Sequence, residues 1–187
     1  MNHTKSQFLI EQILKNEMQS SSRVIERRGR QMRELSGVSF TLYHQRLEFF
    51  NSYRESEYQQ YREMIQSQIS RFKNYLNIDK FSRRLLIQFP ADWYENTPQD
   101  YMPCPESFIV LYLNENEYEI IANFRSTEIS RLSEDIAMIK SLCIKELGLV
   151  DKLIKMKIHL MNVHKYLDQG SSEDFDVVSG YYNRKNK

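Results

Sequence analysis

The spacing of hydrophobic positions changes several times along the chain, and each change marks an expected element. From Ser6 to Met18, the residues Phe8, Leu9, Ile13, Leu14 and Met18 recur at helical spacing. They predict an amphipathic helix, ended by the polar run Gln19 to Ser22. Between Arg23 and Leu42 an arginine-rich stretch around Gly29 gives way to alternation at Val38, Phe40 and Leu42, so a basic turn before a strand is expected. Tyr53 to Leu76 lacks Gly and Pro and carries Tyr58, Tyr61, Ile65, Ile69, Phe72 and Tyr75 at three- and four-residue steps. That pattern predicts one long helix with its stripe turned to the core.

The second half reads differently. Leu85 to Phe89 is a short apolar run bounded by Pro90, expected as a buried strand. Asp92 to Pro105 holds three of the four prolines and the only tryptophan, and reads as a loop leading into Cys104. Phe108 to Leu113 and Tyr118 to Phe124 flank Asn114-Glu115-Asn116-Glu117, the signature of a β-hairpin with Arg125 at its end. Leu132 to Leu147 is helical by pattern, with Ser130 or Ser133 as N-cap and Gly148 as stop. Ile154, Met156, Ile158 and Leu160 alternate as one more strand, with His164 and Tyr166 just beyond it. The expected fold class is α+β, a mixed central sheet covered by helices. Residues 1–168 form one domain, opening with a helix over 1–19, and the polar residues 169–187 form a mobile tail.

Composition narrows the partners. With Lys+Arg 26 against Asp+Glu 25, no global field points to a nucleic acid polymer or a membrane, so any anion site is local. A chain of 187 residues buries a core without staples. Its two cysteines, Cys104 and Cys143, form neither a disulfide framework nor a metal spacing, which places the protein in a reducing compartment with no metal expected. Glu11, Lys15 and Glu17 interrupt the N-terminal apolar positions, so no signal peptide or membrane span is read and the expected location is the cytoplasm. Cys143, beside Ile144 on an apolar helix, reads as core, and His159 as strand surface.

Cys104 follows Pro103, and two clusters come after it, Arg125-Ser126 and His164-Lys165-Tyr166. Read in order with Glu26-Arg27-Arg28-Gly29 and Ser82-Arg83-Arg84, these segments resemble the thymidylate synthase superfamily, which includes the pyrimidine nucleotide hydroxymethylases. Glu26 to Gly29 resembles the family's Asp-Arg-Thr-Gly turn. Ser82-Arg83-Arg84 is similar to its Ser-Arg-Arg segment, Pro103-Cys104 to the proline and nucleophile, and Phe124-Arg125-Ser126 to its Gln-Arg-Ser stretch. Asn162-Val163-His164-Lys165-Tyr166 resembles Asp-Ala-His-x-Tyr. The likeness runs from about Arg23 to Tyr166 and implies a fold like thymidylate synthase in a compact version.

The resemblance implies roles. Cys104 would be the nucleophile; Arg27, Arg83, Arg84, Arg125 and Ser126 would hold a phosphate, with Arg83 and Arg84 reaching into the neighbouring subunit of a homodimer; His164 and Tyr166 would bind the sugar. The chemistry of the residue types agrees. A thiolate adds to C6 of a pyrimidine and turns C5 into a carbon nucleophile, a nearby guanidinium, here Arg125, favours the thiolate, and arginine's planar fork suits phosphate. Aligning Ile136-Ala137 with the family's Asn-Ile-Ala places Asp135 where the base is read. A carboxylate there accepts from the N4 amino group of cytosine but faces O4 of uracil acceptor to acceptor. Asp135 also falls in the first turn of the expected helix, where the dipole favours a negative side chain.

The expected function is therefore that of a cytidylate (CMP or dCMP) hydroxymethylase-like transferase with methylenetetrahydrofolate as donor. Alternatives are a nonenzymatic nucleotide-binding or structural homologue and, third, methylation of deoxyuridylate. The departures are specific. Pro105 stands for the family histidine, Ile109 for its glutamine, Glu128 and Asn162 for aspartates. Between Leu42 and Ser82 the family's glutamate-and-tryptophan region and Tyr-Gly loop are reduced to a helix, with Glu57 and Glu63 as nominal stand-ins for the glutamate.

Overall fold

The structure is a computed structural model that describes residues 2–21, 23–27, 30–79, 81, 85–89, 104–150 and 152–167. The elements run α1 (Asn2–Ser21), β1 (Arg23–Arg27), β2 (Arg30–Leu42), α2 (His44–Leu47), α3 (Glu55–Met64), α4 (Gln66–Ile78), β3 (Leu86–Gln88), β4 (Pro105–Asn114), β5 (Glu117–Phe124), β6 (Thr127–Glu128), α5 (Ile129–Ser141) and β7 (Leu153–Tyr166). A π-helical turn, Leu142–Glu146, extends α5. Arg83, Arg84, most of the loop before Cys104 and the expected tail lie outside the described residues. Arg27 is described only as backbone at the end of β1. Among the described residues, no helix is long and apolar enough to cross a membrane.

The strands form one mixed sheet in the order β1-β2-β7-β5-β4-β3, with β6 also on β7. Parallel neighbours need a crossover, and α5 supplies it between β5 and β7. The other pairs of the main ladder are antiparallel. Ile120, Ala122 and Phe124 of β5 sit opposite Met156, Ile158 and Leu160 of β7 and Val110 and Phe108 of β4, and all are buried on the face that the helices cover. Each of these side chains larger than Ala122 contributes roughly 1.5–3 kcal/mol by leaving water. Leu86, Ile109 and Ile121 alternate to the other face, with Lys155 and Lys157 flanking the buried carboxylate of Glu119 at 2.9 and 3.2 Å. The arrangement fits the α+β class.

Several expectations change in detail. On α1 the buried positions are Ser6, Ile10 and Leu14, while Phe8 is exposed, because the helix contacts α5 and β2 on a single narrow stripe. The long helix over Tyr53–Leu76 is two helices broken at Ile65, whose φ of −106° and ψ of 9° leave the helical region. Hydrogen bonding still passes through it, Ile65 N–H to Tyr61 at 3.2 Å and Ile69 N–H to Ile65 at 2.9 Å. The apolar stripe therefore stays continuous and hides the break. The expected strand over Leu85–Phe89 is the shorter edge strand β3, Leu86–Gln88, with Leu85, Ile87 and Phe89 buried and Leu86 exposed. Helix α5 starts at Ile129 with Glu128 as N-cap and no side-chain cap, so Ser130 and Ser133 lie inside it. Pairing of Thr127 and Glu128 with Val163 and His164 sets that early start. The glycine stop holds: Gly148 follows the π turn with φ +74°.

The largest difference lies in β7, which runs to Tyr166 and includes His164 and Tyr166. Its burial alternation changes phase, from Ile154, Met156, Ile158 and Leu160 to Val163 and Lys165. The change occurs where the ladders are interrupted: Gly37 stands opposite Met161 with φ +72°, and the partner strand passes from Phe124 to Thr127 between β5 and β6. A strand whose alternation slips by one residue looks finished when read as sequence.

Candidate functional site

The slip in the sheet positions the site. Arg125 and Ser126 form the step between β5 and β6, and the Arg125 N–H donates to the Cys104 carbonyl at 3.2 Å. This bond ties the residue before β4 to the step. Beyond it, Thr127 is fully buried opposite Val163, facing α5. Thr127 Oγ1 reaches Asp135 Oδ2 at 3.3 Å and the Glu128 carbonyl at 3.4 Å. The Cys104 thiol feels the same two side chains: Thr127 favours its ionisation and Asp135 opposes it. Cys104 and Asp135, chosen separately from the sequence, thus meet through Thr127.

The electrostatics of this cluster are dominated by burial. Asp135 lies well inside α5 rather than in its first turn, so the dipole is not what holds it. Its carboxyl is pushed up to about 7, chiefly by burial and by the Glu57 carboxylate, against the pull of Arg131, Thr127 and Cys104. The Cys104 residue keeps some exposed surface, yet its thiol is pushed well above the usual range, first by burial and then by Asp135; Thr127 and Arg131 oppose the shift. A guanidinium acting on the thiol is that of Arg131. The Arg125 residue is exposed, because it occupies the outward position of the step.

Four contributors escaped the sequence reading: Arg131, Arg54, Tyr61 and Thr127. Arg131 sits one helical turn before Asp135, and its Nη2 donates to both oxygens of Glu57 at 2.9 and 2.8 Å. Arg54 Nη1 also reaches Glu57 Oε1, at 3.3 Å. Tyr61, on α3 one turn beyond Glu57, is buried and feels Asp135, Cys104 and Arg131, with its hydroxyl held well above the usual range by burial. A charged pair at i and i+4 on an apolar helix was the available signal for Arg131. Thr127 and Tyr61 had none, since a buried threonine and an aromatic in a core stripe are ordinary. Of the two nominal glutamates, Glu57 joins the cluster and Glu63 is exposed on α3.

His164 and Tyr166 come together elsewhere on β7, ring centroids 5.4 Å apart and edge-on. The Arg30 guanidinium lies 3.9 Å from the Tyr166 ring centroid. Alternation from Val163 directs His164 to the face away from Thr127 and α5. Ser126 is half-buried beside Thr127. Surface hollows of about 160 Å³ beside Gln68 and Arg71 and about 290 Å³ beside Lys73 and Lys145 lie apart from the thiol cluster. Cys143 is fully buried core, its thiol likewise raised by burial alone. Compared with known protein families and with curated proteins, the chain matches none.

Proposed function

We propose that the protein binds a pyrimidine nucleoside monophosphate and activates it at C5 through Cys104, as a cytidylate hydroxymethylase-like transferase. The observation that carries this reading is the meeting of Cys104 with Asp135 through Thr127 on one side of the sheet. A thiolate adding to C6 needs a group that takes or returns a proton near neutral pH, and a carboxyl pushed up to about 7 suits that task. Asp135 would accept from the cytosine amino group when ionised. Arg125 and Ser126, with Arg27, Arg83 and Arg84, would hold the phosphate, and His164 with Tyr166 the sugar hydroxyl.

The donor implied by the resemblance, methylenetetrahydrofolate, fits the described residues poorly. The segment 43–79 is committed to the core through Leu47, Phe50, Tyr58, Ile65, Ile69 and Phe72, and Glu57 is tied to Arg131. The chemistry proposed here is therefore confined to the nucleotide half: the thiolate adds to C6, C5 takes a proton from water and gives up its original one, and the thiolate leaves C6, so that the C5 hydrogen exchanges with water. A second reading, a nucleotide-binding protein without turnover, is favoured by one observation: the resting thiol is held protonated by burial.

Release of tritium from C5 of CMP or dCMP to water, with the folate present, separates the two. Release abolished by Cys104→Ala is expected; nucleotide binding without any release would leave only the second reading. The resemblance further implies a two-fold homodimer, in which Arg83 and Arg84 would serve the neighbour's phosphate. Light scattering should give twice the chain mass of 22.6 kDa. Monomers with undiminished nucleotide binding would refute the dimer.

A further inference from the structure

Arg131 is placed between two acidic groups of different character. On one side its Nη2 contacts both oxygens of Glu57, which is mostly buried and also held by Arg54. On the other lie Asp135 and, through it, the Cys104 thiol. The Nε of Arg131 is buried and has no hydrogen-bond partner. Glu57 thus engages one end of the guanidinium and leaves its charge shared with the thiol cluster.

We propose that Glu57 and Arg131 are positioning residues that set how readily the Cys104–Asp135 pair gives up a proton: Arg131 supplies the favourable charge, and Glu57 holds part of that charge away. The proposal rests on the reading of Cys104 as the reactive group. Among the described residues, the groups facing the pair are Glu57 and Tyr61 from α3, Arg131 from α5 and Thr127 from β6, with Arg54 beyond Glu57 and Glu134 beyond Arg54. Tyr61 stays neutral because burial raises it, and Thr127 carries no charge. Among the described residues, the charges acting directly on the pair are therefore Glu57 and Arg131. Because thiol and carboxyl act on one another's ionisation, their protons leave as those of a pair, and the charge of the surroundings shifts the pair as a whole. Removing a negative neighbour lowers the pH at which the thiolate forms; removing the positive one raises it.

Alkylation of Cys104 by iodoacetamide reads the thiolate directly. The sulfur forms a bond to carbon, iodide leaves and the thiol proton goes to water. The rate is followed on the full chain from about pH 6 to about pH 10, below the range of the raised thiol, so a shift reads as a change of rate at each pH, with peptide masses separating Cys104 from the buried Cys143. Glu57→Gln keeps an oxygen for Nη2 but removes the charge, and should move the profile to lower pH and speed alkylation at fixed pH by about threefold or more. Arg131→Gln should do the opposite, Arg131→Lys should stay near the parent, and the double variant E57Q/R131Q should return to within about twofold of it. Loosened packing would accelerate both single variants, so shifts of the same sign overturn the proposal. Should Arg131→Gln fail to fold, the isosteric Glu57→Gln decides alone: an unmoved or raised profile defeats the idea. Tritium release plays no part in this readout, so loss of the transferase reading and loss of this one are distinguishable.

Discussion

Thr127 donates its hydroxyl toward Asp135 across 3.3 Å, from a two-residue strand to the middle of the following helix, with both side chains buried. The contact lies inside the βαβ crossover and joins its two parts at the point where the Cys104 thiol also arrives. Its consequences begin with Asp135.

Asp135 should make the fold lose stability as pH rises. Its carboxyl goes from 3.8, the ordinary value, to about 7 in the folded chain. The folded state keeps the proton longer, so the associated stabilisation is complete below the ordinary value and is lost as pH rises through the folded one, by an amount on the order of a few kcal/mol. Urea unfolding at about pH 4.5 and about pH 8 measures it. Asp135→Asn should flatten the slope over this window, and an unchanged slope would show that Asp135 does not titrate there.

The same titration predicts a pH-dependent base preference. Ionised Asp135 accepts from the cytosine amino group, and protonated Asp135 donates to O4 of uracil. Calorimetry with dCMP and dUMP should therefore show their affinity ratio turning toward dCMP by about tenfold between about pH 6 and about pH 8. A constant ratio would remove Asp135 from base reading.

Gly37 should not tolerate a side chain, although there is room for one. Its φ of +72° is in the left-handed region, and a Cβ would meet nothing within 4 Å. Gly37→Ala should cost about 1–2 kcal/mol from the backbone alone. Equal stability would mean that the ladder relaxes at this level.

Phe124 joins core to site. It is fully buried beside Arg125, whose N–H holds Cys104. Phe124→Ala should lose about 3–5 kcal/mol and should also accelerate Cys104 alkylation. Destabilisation without a change in alkylation would separate the core from the site.

How much was legible is clearest at β7 and at the thiol cluster. Alternation at Ile154 to Leu160 and the turn Asn114 to Glu117 were local patterns, so those strands could be read directly. His164 and Tyr166 looked external because the burial alternation of β7 changes phase after Leu160, although its pairing with β2, β5 and β6 keeps one register throughout. The break at Ile65 was invisible for the opposite reason, since the stripe runs through it unbroken.

The sequence by itself determined the elements whose hydrophobic period is local, the cysteine in the core of α5's π turn, and the residue types at Cys104 and Asp135. Only the tertiary structure decided that the thiol meets Asp135 through Thr127, and that a guanidinium acting on it is that of Arg131, restrained by Glu57 from another helix. Ionisation depends on burial and on charges brought together across 74 positions of chain, and neither burial nor such distant neighbours are properties of a local pattern.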